Sequence, residues 1–326
     1  MSIRVGLVGT GYAAGVRANT FLSDRRSELV AVAGRDELRA VEFARRYGIA
    51  PTGRWINLVE DDRIDLVVVC TVSALHGDVV ESALKVGKHV VVEYPLSLDV
   101  AQAERLLKLA RQHERLLHVE HVELLGGLHQ ELRSHLPAIG FPSYLTYRTL
   151  RAQRPSPLNW KYSLDLFGFP FCGALSRLSR LIDLFGLVAS VSCDTQIAEA
   201  DNSSFYTTIL CSGRLRFESG LIAEVTYGKG DQVWTSERTI SIHGSDGALS
   251  FVGNKGILTT ADREVQIKAS PRKGLIALDT QGVLDYLSTG EQLYVSAEES
   301  LYALQVGDAL RRASTHQSVV LMEEIA

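Results

Sequence analysis

The stretch Val5-Gly6-Leu7-Val8-Gly9-Thr10-Gly11-Tyr12-Ala13-Ala14 decides how this chain is read. An apolar strand, Ile3 to Val8, runs into a turn that fits G-x-G-x-x-G/A. Gly9 permits the tight turn, Gly11 lets a pyrophosphate approach the backbone, and Ala14 keeps the following helix close to the sheet. The phosphates of a dinucleotide would sit on that helix's N-terminus, with Tyr12 and Ala13 in the same turn. A second strand, Leu29 to Ala33, ends in Gly34-Arg35-Asp36. An NAD site usually places an acid there, about 20 residues on, to bond the ribose 2′-hydroxyl. Glycine followed by arginine instead leaves room for a 2′-phosphate and supplies a planar cation to bind it, which favours NADPH over NADH. The alternative has Arg35 as a solvated loop residue and Asp36 on the ribose.

Composition bounds the rest. The chain has 326 residues, 46% hydrophobic and 22% charged, enough for two ordinary globular domains. A net charge of −4 gives no overall basic field for nucleic acid or an anionic membrane, so an anionic substrate would need a local basic pocket. The cysteines, Cys70, Cys172, Cys193 and Cys211, lack C-x-x-C spacing and read as buried thiols, which suits a reducing cytoplasm. No signal peptide is expected before the first strand, and no apolar run reaches the roughly 18 residues of a membrane helix.

Strand and helix alternate through Ile64 to Cys70, Ala74 to Val86, Lys88 to Glu93, Asp99 to Glu114 and Leu116 to Val119. Continuous apolar runs of this kind belong to parallel strands buried on both faces, and the repetition predicts a doubly wound Rossmann sheet. After Glu120 the pattern changes to a helix, Leu124 to Ser134, then to polar-alternating strands at Tyr144 to Leu150, Phe205 to Leu210, Gly220 to Tyr227 and Thr239 to His243. Gly244-Ser245-Asp246-Gly247 is a hairpin turn signal. Ser296 to Ala313 reads as a closing helix capped by Ser296 with Glu299 three residues on. The expected fold is an α/β Rossmann domain over residues 1–122 and an α+β domain with a large, mainly antiparallel sheet over 123–326, the closing helix packing back on the first.

Taken together these elements resemble the glucose-fructose oxidoreductase/inositol dehydrogenase superfamily over nearly the whole chain. Its dehydrogenases carry E-K-P at the fifth strand and D-x-x-x-H on a later helix. This chain has Glu93-Tyr94-Pro95 and Ser176-Arg177-Leu178-Ser179-Arg180 in those places. Oxidising a sugar hydroxyl needs a base that titrates near the working pH, and tyrosine, serine and arginine titrate too high. Sugar or dihydrodiol dehydrogenation is thereby disfavoured; a nucleotide-sensing regulator without catalysis stays open. Within the superfamily the chain resembles the biliverdin reductase family, its cyanobacterial branch in particular. The matching stretches are Gly87 to Leu96, His118 to Leu125, Phe167-Gly168-Phe169-Pro170, Leu175 to Leu178, and Tyr227-Gly228-Lys229-Gly230.

That resemblance implies NADPH-dependent reduction of biliverdin, a linear tetrapyrrole with two propionates, to bilirubin, by hydride addition at the central methine carbon. Negative charge then develops on a pyrrole nitrogen, and a fixed cation would stabilise it. Arg177 is expected in that role, with Tyr94 beside the nicotinamide as hydrogen-bond donor or packing surface. Gly9, Gly11, Tyr12, Ala13, Ala14, Gly34, Arg35, Thr71, His76 and Glu93 are the expected cofactor residues. Glu120, His121, Phe169 and Arg180 are expected on the substrate. Glu120, His121 and Glu123 lack the H-E-x-x-H spacing of a zinc site, so no metal is expected. Arg148, Arg151, Arg154, Lys161, Arg180 and Lys229 are the basic residues open to the propionates. A monomer is implied by the resemblance, a dimer being compatible with it, and no nucleic-acid or membrane partner is expected.

Overall fold

The computed structural model describes residues 2–201 and 204–324. The chain divides into two compact units, one of Met1–Leu125 with Gly274–Leu301, the other of Gly126–Lys273 with Tyr302–Ala326. The first unit thus takes Gly274–Leu301, a segment that the sequence reading leaves with the second.

The first unit is a six-stranded parallel sheet of β1 (Ile3–Val8), β2 (Ser27–Ala33), β3 (Ala50–Thr52), β4 (Leu66–Val69), β5 (His89–Glu93) and β6 (Leu117–Glu120). Its order, β3-β2-β1-β4-β5-β6, is that of a dinucleotide-binding Rossmann sheet. Residues 5–8 of β1 and all of β4 are buried because helices cover both faces. One of those helices, Leu275–Thr289, comes from far along the chain. Its Val283 and Leu284 pack among Val5, Leu7, Ala18, Phe21, Leu29 and Val68, each buried aliphatic side chain contributing about 1.5–3 kcal/mol.

The second unit is built on a nine-stranded sheet of β7 (Pro142–Ala152), β8 (Val188–Glu199), β9 (Tyr206–Phe217), β10 (Ile222–Gly230), β11 (Glu237–Gly244), β12 (Gly247–Val252), β13 (Lys255–Thr260), β14 (Glu264–Lys268) and β15 (Val320–Leu321). Neighbours pair antiparallel except β10 with β7, which run parallel. Strand β9 shows why the sheet has one inner face: Ile209, Cys211, Gly213, Leu215 and Phe217 are buried, while Leu210, Ser212, Arg214 and Arg216 are exposed. The helix Ser176–Phe185 buries Leu178 and Leu181 in this unit. At the β11–β12 hairpin, Ser245 and Asp246 join the two strands where the turn signal predicts. The helix expected to start at Leu124 starts at Gly127, because Val122–Leu124 forms a 3₁₀ turn and Gly126 is extended at φ −75°, ψ 147°. At the closing helix, Ala297–His316, Glu299 N donates to Ser296 Oγ at 3.1 Å and Ser296 N donates to Glu299 Oε2 at 2.7 Å, a reciprocal capping box. Among the described residues no helix is long and apolar enough to cross a membrane, and all four cysteines are free.

Two glycines of the opening turn differ in what holds them. Gly9 sits at φ +124°, and a Cβ there would lie 2.3 Å from the Cys70 carbonyl oxygen. Gly11 is the helix N-cap at φ −82°, and a Cβ there would meet nothing within 4 Å. Gly9→Ala should therefore lower unfolding free energy by about 2 kcal/mol or more, from strain and clash together. Gly11→Ala should cost no more than about 1 kcal/mol. Urea denaturation of both variants checks the contrast, and equal losses would contradict it.

Candidate functional site

In the first unit, the turn Gly9–Ala14 opens the helix Tyr12–Ser23, with Gly11 presenting open space, Ala14 fully buried against the sheet and Tyr12 exposed. This is the cradle a pyrophosphate needs: backbone N–H groups at a helix N-terminus with no side chain in the way. At the end of β2, a Cβ on Gly34 would press on Thr10 Cγ2 at 3.1 Å and Ala40 Cβ at 3.3 Å. Arg35 beside it is exposed. Asp36 is the N-cap of the helix Glu37–Tyr47, its Oδ1 accepting from Arg39 N at 3.1 Å and its Oδ2 lying 3.5 Å from Arg39 Nε.

The loops after β4 and β5 are tied by His76. Its Nδ1 is 2.8 Å from Pro95 O and its Nε2 3.2 Å from Thr71 O, and the ring is buried. Burial holds its pKa below the ordinary imidazole value, against the opposing pull of these two carbonyl contacts. His76 thus bridges Thr71 and the turn with the cis Tyr94–Pro95 bond, its nitrogens turned to backbone carbonyls.

Glu93, at the end of β5, accepts from Arg17 Nε at 3.0 Å. Arg17 is fully buried and donates through Nη1 to Asp279 Oδ2 at 2.7 Å and Thr280 Oγ1 at 3.0 Å. Asp279 Oδ1 contacts His118 Nε2 at 2.7 Å and accepts from Tyr294 OH at 2.8 Å. Tyr294 OH in turn accepts from His121 N at 2.9 Å. Burial would push the Asp279 carboxyl up; Arg17, His118 and Tyr294 outweigh it and hold the group well below the usual carboxylate range. His121 contacts Ser300 Oγ through Nε2 at 2.8 Å, and its ring stacks parallel to Tyr94 with centroids 5.5 Å apart. Burial, then the neighbouring His118, pushes His121 down to about 3, so Tyr94 lies over an uncharged ring. Glu120 is in register with Glu93 across β5 and β6 and accepts from Val122 N at 2.8 Å. Burial first, then the charges of Glu93 and Asp279, drives its pKa well above the usual range, which favours the neutral acid.

Arg177, Arg180 and Phe169 belong to the second unit. Arg177 is half-buried, donates through Nη1 to Ala174 O at 3.2 Å, and lies over the Tyr227 ring with Cζ 4.5 Å from its centroid. Arg180 is almost fully buried and donates to Tyr147 OH at 2.5 Å. Phe169 caps the short helix Pro170–Gly173, its ring 6.1 Å from that of Phe171. Lys229 is buried beside Tyr227 and its Nζ donates to Lys161 O.

Sequence reasoning brings out Glu93, Tyr94, Glu120 and His121 from contiguous motifs. It misses Arg17, His118, Asp279 and Tyr294, which connect them. Arg17 and Asp279 are 262 positions apart, and no local pattern joins an arginine on the first helix to an aspartate on a late one.

The model of an oxidoreductase family with an NAD-binding Rossmann fold matches residues 3–121, and that of the same family's C-terminal alpha/beta domain matches residues 138–322. A solved structure of biliverdin reductase from Synechocystis, in complex with biliverdin and NADP+, superposes with a TM-score of 0.94 at 46% identity, covering 96% of this chain and 99% of that one. Biliverdin reductase A of Mus musculus is 30% identical over 262 residues, 77% of this chain and 79% of the relative. The Homo sapiens protein of the same name is 27% identical over 263 residues, again 77% and 79%.

The Arg17–Asp279 pair has a measurable consequence. Asp279→Ala strands a guanidinium in the interior and should cost about 3–5 kcal/mol, whereas Asp279→Asn keeps hydrogen-bonding capacity and should cost less. A depressed carboxylate stabilises above its unfolded pKa of about 3.9 and loses that contribution as pH falls toward the folded value. The stability gap between wild type and Asp279→Asn should accordingly shrink on acidification below about pH 4. Urea titrations at several pH values check this, and a constant gap would show that the Asp279 charge contributes nothing.

Proposed function

This chain belongs to the glucose-fructose oxidoreductase/inositol dehydrogenase family of oxidoreductases, and on that premise we propose that it reduces biliverdin to bilirubin with NADPH. The observation that carries the reading is the 46% identity, along almost the full length of both chains, to a biliverdin reductase solved with biliverdin and NADP+. The 30% identity to a mammalian biliverdin reductase agrees with it. We place the reaction in the cytoplasm, where four free thiols stay reduced, and take the working form to be a monomer.

Gly9, Gly11, Tyr12, Ala13 and Ala14 hold the pyrophosphate at the helix N-terminus. Gly34 keeps the end of β2 slim, and exposed Arg35 takes the 2′-phosphate. Asp36 is committed to capping the next helix, which favours Arg35 over Asp36 as the residue that reads the ribose. Thr71, His76 and Glu93 form the wall on the nicotinamide side, where Tyr94 is oriented by its stack on His121. Bound there, the cofactor supplies the hydride.

Arg177 answers the negative charge that develops on the pyrrole nitrogen as hydride reaches the methine carbon. A guanidinium pinned on Tyr227 is pre-oriented, so it stabilises that charge with little reorganisation. Its planar fork positions the pigment or a proton-donating water. Phe169 and Arg180 act with Arg177 on the pigment; Glu120 and His121 support Tyr94. Alcohol oxidation is disfavoured because Tyr94, Ser176 and Arg180 provide no base that titrates near neutrality.

Mixing the protein with NADPH and biliverdin and following the bilirubin absorption band tests the reading directly; no band would overturn it. Arg35→Glu should raise KM for NADPH far more than KM for NADH, and equal changes would remove the 2′-phosphate contact. Arg177→Ala should lower kcat/KM for biliverdin by about 10²-fold or more with little change in NADPH affinity. Arg177→Lys should recover only part of the loss, since the charge returns without the planar fork. Near-normal turnover in Arg177→Ala would return the residue to the ordinary helix arginines.

A further inference from the structure

Lys229, near the end of β10, is buried to 4% exposure, yet no carboxylate pairs with it among the described residues. Its ammonium lies in a box of aromatic rings, 4.3 Å from the centroid of Phe167, 4.7 Å from Tyr162, 5.5 Å from Tyr206 and 5.8 Å from Tyr227. The acceptor it reaches is the Lys161 carbonyl, which also accepts from Tyr206 OH at 2.9 Å. Ring faces attract a cation, the more so when it is desolvated, but they do not neutralise it.

Other cations converge on the same place. Arg177 shares the Tyr227 ring with Lys229. Arg151 on β7 is the register neighbour of Lys229 across the parallel pair. Lys161 follows Trp160 in the turn that supplies the carbonyl. Arg151 and Lys161 are exposed, Arg177 is half-buried and Lys229 buried, so positive charge runs from the surface inward. None of the four forms a salt bridge among the described residues, in a chain whose net charge is −4. Buried charge without a counter-ion is costly, so a protein that keeps it there leaves the compensation to something that binds.

We propose that Arg151, Lys161, Arg177 and Lys229 form the subsite for a propionate carboxylate of the tetrapyrrole, and that Lys229 takes up a proton as the carboxylate binds. The proposal rests on the biliverdin reading above. Burial first, then Lys161, Arg177 and Arg151, pushes Lys229 down to about 7. Burial pushes Tyr162 and Cys211 each up to about 12, and raises Tyr206 and Tyr227 above the ordinary phenol value. Asp231, just beyond β10, accepts from Ser156 N at 2.7 Å, and Asp165, on the short helix of Phe167, is exposed. Lys229 is thus the group of this cluster whose charge changes near neutral pH. It is charged below about 7 and loses its charge above; an arriving anion favours the charged form, so binding above pH 7 draws a proton from solvent.

Biliverdin and its dimethyl ester, in which both propionates are uncharged, separate the contributions. In wild type the ratio of kcat/KM for the acid to that for the ester should fall as pH rises from about 6 to about 9. Lys229→Met should lower this ratio by about tenfold near pH 6.5, the loss of roughly one pKa unit of interaction, and flatten its pH dependence. Calorimetric titration of the wild-type NADP+ complex near pH 7.5, in buffers of different ionisation enthalpy, needs no variant: uptake of about half a proton per biliverdin, and none with the ester, is the expected result. A ratio that ignores pH together with equal uptake for acid and ester would overturn the subsite. Absence of turnover with either pigment would overturn the reductase reading instead, and the calorimetry would still decide for or against the subsite.

Discussion

A single buried guanidinium organises the first unit. Arg17 stands on the helix that begins at the glycine turn and is held between Glu93 at the end of β5 and Asp279 on the helix Leu275–Thr289. The late helix is thereby fixed to the sheet by charge as well as by the packing of Val283 and Leu284. From Asp279 the hydrogen bonds continue through Tyr294 to the backbone of His121, the ring on which Tyr94 stacks. Placing an arginine in the interior is costly, and here two carboxylates and a threonine hydroxyl offset that cost.

How much of this was legible follows from distance along the chain. The glycine turn and the strands β1, β4 and β5 announce themselves because their signals are local: apolar runs and a G-x-G-x-x-A turn. The Glu93-Tyr94-Pro95 motif is likewise contiguous. The late helix is different, since nothing in Leu275–Thr289 says that it belongs with residues 1–125; that membership is decided by tertiary packing and by an ion pair spanning 262 positions. The parallel pairing of β10 with β7 is equally silent, because strand alternation carries burial but no direction.

Lys229 shows the same limit in a smaller space. Tyr227-Gly228-Lys229-Gly230 enters the sequence reading as part of the family resemblance, with Lys229 one of several basic residues, and lysine is a residue that almost never buries fully without a partner. Its surroundings come from four separate places, the turn at 160–162, the short helix with Phe167, β9 and β10 itself. Sequence can nominate the lysine as a basic residue; only the fold says that it is buried, caged and uncompensated.

The two units use buried charge in opposite ways, and the difference separates architecture from ligand recognition. In the first, the charge of Arg17 is answered within the chain by Glu93 and Asp279, while Glu120, driven by burial first and then by both carboxylates, is pushed toward its neutral form. The counter-charges of Arg17 thus come from the chain itself, although its buried Nη2 finds no partner among the described residues. In the second, Arg177 and Lys229 share an aromatic ring and find carbonyl oxygens but no carboxylate among the described residues. A carbonyl dipole orients a cation without cancelling its charge, so the field of these residues is left to act on whatever enters. A substrate that brings its own carboxylates, and that passes through a state of added negative charge, is the kind of molecule for which an uncompensated cluster lowers both the cost of binding and the barrier to reaction.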